Sequence, residues 1–148
     1  MSPELCAAAI LVSVTVVLHS TGLNAVLRWV FRSSALRNPR FWRQTWLVIW
    51  VAGSLIALHL VEIAVWALFY WWQRCFPDRE SCFYFAGVTY TTLGYGDLVL
   101  SKGWRLLGPV EALTGILMCG LSIGLFLAIM TRLNRTWIKT HNLGEPLT

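Results

Sequence analysis

Charge is what this chain has least of. Asp, Glu, Lys and Arg make up 13% of its 148 residues, about half the share usual in a soluble domain. With 57% hydrophobic residues, a water-facing globule is excluded. Acids are scarcer still, seven against twelve bases, for a net charge of +5. Such an excess could mark a nucleic-acid binder, but no separate domain exists to carry that function, so no nucleic acid is expected as a partner. No Ser-His-Asp or Cys-His constellation lies outside the apolar runs, so an enzyme is not expected. The four cysteines and three histidines show no metal-ligand spacing. The N-terminus lacks the basic region of a secretory signal and carries Glu4 instead, so the first apolar run is expected to be retained.

What is present is three long apolar runs. Residues 5–27 hold His19 as their main ionisable group, residues 45–72 are interrupted by His59 and Glu62, and residues 109–131 contain Glu111. At 1.5 Å per residue, about 20 residues cross a hydrocarbon core of roughly 30 Å, so each run can span. Between the first two runs stand Arg28, Arg32, Arg37, Arg40 and Arg43 without an acid, and after the third come Arg132, Arg135 and Lys139. The stretch between the second and third runs mixes both signs. The positive-inside rule then puts the basic stretches in the cytoplasm, with the N-terminus outside and the C-terminus cytoplasmic. Tryptophans fit a pair of interfacial belts: Trp29, Trp42, Trp46 and Trp137 inside, Trp71, Trp72 and Trp104 outside. The lipid bilayer is the first partner the sequence implies.

The outward stretch contains Ser81-Cys-Phe-Tyr-Phe-Ala-Gly-Val-Thr-Tyr-Thr-Thr92 and then Leu93-Gly94-Tyr95-Gly96-Asp97. The first part is too short to span and reads as a re-entrant helix. The second has glycine at alternate positions. A pore that strips water from an ion must replace it with oxygens. Successive carbonyls of one strand can face the same way only if the backbone alternates in hand. Gly94 and Gly96 accept positive φ without a Cβ penalty, Leu93 and Tyr95 turn away as wedges, and Thr92 adds a hydroxyl. The helix before it would direct the negative end of its dipole toward the central cavity.

Thr-Thr-Leu-Gly-Tyr-Gly-Asp resembles the selectivity-filter signature of the tetrameric, two-transmembrane pore-loop potassium channels, of small bacterial type, with Leu93 where Val or Ile is commoner. The resemblance covers residues 45 to about 131. It implies an all-α membrane protein with three transmembrane helices, a re-entrant pore helix and a selectivity filter: the homotetrameric potassium-channel pore fold with an added N-terminal helix. Residues 1–44 would form that helix and a basic cytoplasmic loop. Residues 45–134 would form the pore domain, with outer helix 45–72, pore helix 81–91, filter 92–97 and inner helix 104–134, and residues 135–148 a short cytoplasmic tail. Potassium ions would bind at Thr92, Leu93, Gly94, Tyr95 and Gly96, with no cofactor besides the permeant ion. One filter per chain calls for a homotetramer.

The resemblance also implies filter supports. Thr89 stands where the family places a hydroxyl that bonds the filter tyrosine, here Tyr95. Tyr84 and Phe85 replace a Trp-Trp pair; Tyr84 can reach Asp97 through its hydroxyl, whereas Phe85 can donate nothing. Val88 stands where some bacterial members carry Glu. These departures imply altered inactivation and leave a weakly selective cation pore as an alternative. A non-conducting scaffold or transporter subunit is the alternative of another class. Neither of the first two helices carries the spaced arginines of a voltage sensor, and the tail is too short for a ligand-sensing domain. Gating is therefore expected from the membrane, the filter or protons. Gly115 is the candidate hinge, while Gly120 and Gly124 suit helix packing. His19, His59, Glu62 and Glu111 fall at matching depths, as a candidate proton-sensitive cluster or a static polar contact. Cys75 and Cys82 could form a disulfide within the loop or between subunits, or stay free. The small size and single pore motif suggest a prokaryotic plasma (inner) membrane.

Overall fold

Every described segment of regular structure in the computed structural model is helical. Residues 3–33 and 41–142 are described, residues 41 and 136–142 by backbone only. Arg37 and Arg40, the side chains of Trp137 and Lys139, and residues 143–148 thus lie outside the described residues. The helices are α1 (Pro3–Arg32), α2 (Phe41–Trp72), α3 (Arg79–Tyr90) and α4 (Leu107–Asn142). Three of them, over Pro3–Arg32, Trp42–Trp72 and Leu107–Arg135, are long and apolar enough to cross a membrane. Helix α3 has 12 residues, a rise of about 18 Å, and stops short of a crossing.

Helix α1 has a definite inner face. Ala8, Leu11, Thr15, His19 and Val30 are its buried residues, the first four spaced three to four apart and Val30 about three turns further on, so that they line one side. Gly22 continues this line, and a Cβ there would stand 2.6 Å from Leu58 Cδ1 on α2. Trp66 Nε1 donates to Thr15 Oγ1 at 3.1 Å. Helix α1 therefore packs on α2 and α4 of its own chain.

Two apolar clusters hold the ends together. One gathers Leu11, Trp66, Tyr70, Phe85, Leu107 and Met118 around α3. The other joins Val30 of α1, Leu47 and Val51 of α2, and Ile129 and Leu133 of α4. At the first end Glu4 Oε1 accepts from the Leu106 backbone N–H at 2.6 Å, so the start of α1 meets the start of α4. At the other, the Arg132 guanidinium sits 4.8 Å over the Phe31 ring. The chain thus has an α3 end and a basic end.

Element bounds differ from the sequence reading: α1 outruns its apolar run at both ends, and α3 spans Arg79–Tyr90 rather than 81–91. Helix α2 begins at Phe41, because Trp42 to Gln44 continue its first turn before the apolar run starts. Residues 102–106 are turns, with Leu107 N–H bonded to Trp104 O at 3.0 Å, so α4 starts at Leu107 with Pro109 in its first turn, where the missing N–H costs nothing. Helix α4 continues to Asn142, taking in the first part of the stretch read as a tail.

Candidate functional site

Asp78 starts the local structure on which the candidate filter rests. Its extended backbone (φ −136°, ψ 164°) makes it the N-cap of α3. Its carboxylate accepts from the Ser81 N–H and the Ser81 hydroxyl, each at 2.8 Å. These bonds, the backbone one foremost, hold the Asp78 carboxyl below its ordinary range.

The other end of α3 is closed by the chain that follows it. Thr92 N–H bonds Thr89 O and Leu93 N–H bonds Val88 O, both at 2.9 Å. With Thr91 as C-cap, this is the paired hydrogen-bond pattern of a Schellman motif, whose next residue adopts the left-handed conformation and is usually glycine. Here it is Thr92, at φ 62°, a conformation that costs an L-residue roughly 1–2 kcal/mol. Gly94 at φ 54° and Gly96 at φ 78° follow. Left-handed backbone thus alternates over 92, 94 and 96, and the helix cap is also the first step of the candidate filter segment. The glycine spacing marked the last two positions; nothing in the sequence marked Thr92.

A side-chain staple joins α3 to the far end of this segment. Tyr84 Oη donates to Asp97 Oδ2 at 2.7 Å, and the carboxylate it bonds pushes the phenol up. Phe85 turns the other way, edge-on to Tyr70 with ring centres 5.3 Å apart and 5.0 Å from Phe76. It supports α3 through aromatic packing rather than a hydrogen bond. A cavity of about 230 Å³ remains behind the segment, lined by Tyr84, Val88, Thr89, Asp97, Arg105 and others. Among the described residues no hydrogen bond joins Thr89 to Tyr95; Tyr95 is 67% exposed on the single chain. Leu93, also exposed, points away from the protein's own core.

Beneath α3 the polar residues of the spans converge. His19 Nδ1 lies 2.8 Å from Glu62 Oε1, although 43 residues separate them. The Tyr90 hydroxyl donates to Glu62 Oε2. His59 Nδ1 is 3.0 Å from Tyr90 Oη, and His59 Nε2 is 3.0 Å from Ser122 Oγ. One junction therefore ties α1, α2, α3 and α4 through named polar atoms. His19 and Glu62 are fully buried.

A family model described as an ion channel matches residues 45–132, more than half of the chain. The chain belongs to that ion-channel family. No curated protein and no solved structure matches it. The matched region contains most of α2, all of α3, the candidate filter segment and α4 as far as Arg132, and leaves α1 outside it.

Within this channel several candidate residues take places that their position along the chain did not foretell. Glu111 is not part of the His19–His59–Glu62 cluster: its Oε2 accepts from Tyr70 Oη at 2.7 Å. Matching depth along the helices said nothing about which way each side chain faces. Gly115, the candidate hinge, is a contact glycine in this structure. A Cβ there would overlap the Tyr90 carbonyl oxygen, so the glycine lets α4 touch the backbone of α3, and α4 runs unbroken through it. Gly120 and Gly124, read as packing residues, have nothing within 4 Å of a built Cβ. Cys75 and Cys82 are free thiols in one apolar cluster, with Cys82 buried. Burial pushes both thiols up, and at Cys75 the neighbouring Cys82 adds to the shift. The absence of metal-ligand spacing along the sequence also misses that His19, His59 and Glu62 come together in space. Tyr90, Ser122 and Tyr70 escaped the sequence reading; the signal was a hydroxyl on the buried face of an apolar helix, visible only once that face is known.

Proposed function

We propose that four copies of this chain form a potassium-selective channel whose filter is Thr92 to Gly96. The observation that carries the reading is the left-handed backbone at residues 92, 94 and 96, the pattern that turns successive carbonyls to one side. Carbonyls of Thr92, Leu93, Gly94, Tyr95 and Gly96, with the Thr92 hydroxyl, would replace the water of a dehydrating K⁺. A single chain offers one wall of such a pore. Helix α4 also leaves an apolar stripe uncovered, including Leu113, Ile116, Leu117 and Leu121, which supports assembly around the filter. In the tetramer Tyr95 and Thr89 would find each other across copies.

The orientation follows from charge: the basic end faces the cytoplasm and the filter end faces outward, in a prokaryotic plasma membrane. Membership of an ion-channel family favours passive conduction over catalysis. Leu93 at the filter and the cavity behind it support a second reading, in which the pore conducts cations with weak selectivity. Potassium flux into liposomes holding the purified protein tests both. Uptake of K⁺ but not Na⁺ supports the first reading, uptake of both supports the second, and uptake of neither refutes both.

A further inference from the structure

Two imidazoles, a carboxylate and a phenol meet where α1, α2 and α3 cross. We propose that this junction is a binding site for a divalent transition-metal ion of the zinc class. His19, His59 and Glu62 are its ligands, and the Tyr90 oxygen is the fourth donor.

The donor set is the first argument. Imidazole nitrogen with one carboxylate oxygen suits zinc and its borderline neighbours, whereas Mg²⁺ and Ca²⁺ take oxygen almost alone. Spacing is the second. With metal–ligand bonds of roughly 2.0–2.1 Å, the donors of a tetrahedral site stand about 3.3 Å from one another. Here His59 Nδ1 is 3.4 Å from Glu62 Oε2, His59 Nδ1 is 3.0 Å from Tyr90 Oη, and His19 Nδ1 is 2.8 Å from Glu62 Oε1. The ligand atoms of His19, His59 and Glu62 all lie within 4.8 Å of one another. Side-chain shifts of up to about 1.5 Å would bring these donors to the spacing of a tetrahedron.

Charge and support complete the case. The Glu62 carboxyl is fully buried, and its partners are His19, His59 and Tyr90, with no Lys or Arg beside it among the described residues. A bound cation would offset the charge of a ligating carboxylate where water cannot. His59 Nε2 meets Ser122 Oγ at 3.0 Å, the outer-sphere hydrogen bond that orients a metal-binding imidazole. His19 Nε2, by contrast, is buried without a partner. The outcome would be a clamp from the N-terminal helix to the end of the pore helix, one residue before its cap.

The test uses the full chain, purified in detergent and freed of metal, titrated with Co²⁺ in the visible range. We expect the intense absorption of tetrahedral Co²⁺, saturating at one ion per chain and erased by Zn²⁺. His19→Gln should weaken binding by at least roughly 100-fold, the upper end of what outer-sphere partners contribute. Should that variant fail to fold, Ser122→Ala decides, with an expected loss of about 10–100-fold. Glu80→Gln, an exposed carboxylate in the first turn of α3, should leave the spectrum unchanged. A weak octahedral spectrum from the unaltered protein, or a tetrahedral band that persists at full affinity in His19→Gln or Ser122→Ala, overturns the proposal. The spectrum requires no current, so its result is separate from that of the flux assay.

Discussion

Replacing Gly115 by alanine puts a methyl group where the Tyr90 carbonyl already is. The new Cβ would overlap that oxygen and stand 3.0 Å from the carbonyl carbon and 3.2 Å from the ring Cδ1. None of these atoms is the end of a flexible chain, so relief requires moving α4 or α3 as a body. Overpacking of this kind costs about 1–3 kcal/mol, and a backbone obstacle belongs at the upper end. Alanine in place of helical glycine returns about 1 kcal/mol. Gly53→Ala on α2 is the matched control, because nothing lies within 4 Å of a Cβ there. The difference between the two variants is then the packing term alone, about 3 kcal/mol. At 2–4 °C per kcal/mol for a chain of this size, that separates their unfolding midpoints by roughly 6–12 °C. Thermal unfolding in detergent, followed by tryptophan fluorescence, reads it. If Gly115→Ala unfolds at or above the temperature of Gly53→Ala, the close approach of α4 to α3 is not what the glycine provides.

Three further outcomes follow from the ends of α3 and the filter segment. Thr92→Gly should raise unfolding stability by about 1 kcal/mol, since it removes left-handed strain at the cap, while potassium flux falls with the lost hydroxyl; a destabilised variant would contradict the strain. Tyr84→Phe removes the bond to Asp97 and should speed current decay under sustained activation. The raised Tyr84 phenol makes the staple's contribution complete below the ordinary tyrosine range near about 10 and lost as pH climbs through the higher folded value, so decay in the unaltered channel should quicken only at strongly alkaline pH. Asp78→Ala should lower the unfolding midpoint at neutral pH. Because the Asp78 carboxyl is held low, its contribution is present above the ordinary carboxylate range and disappears as pH falls through the depressed value, so the gap between variant and parent should close in acid.

The spans were legible because lipid imposes a simple demand: three runs of apolar residues with few charges, each long enough to cross. The short segment before the glycines could be read as a helix that does not cross for the same reason. Azimuth was not legible. Residues 59, 62 and 111 could be ranked by depth, but which face of α4 meets α2 depends on packing, and that rotation sends Glu111 to Tyr70 while Glu62 meets His19. Gly115 and Gly120 look alike in the sequence, and only the position of α3 distinguishes a contact glycine from an open one. Thr92 was hidden for a different reason. A β-branched residue argues against left-handed backbone, and the helix-capping bonds from Thr92 and Leu93 override that preference.

Reversal potential in a planar bilayer bears most directly on the central claim that residues 92–96 select potassium. With the purified protein, a tenfold K⁺ gradient and Na⁺ as the balancing ion, the current should reverse near the potassium equilibrium potential, about 59 mV from zero. A reversal near zero, with Na⁺ carrying current as readily as K⁺, would contradict it.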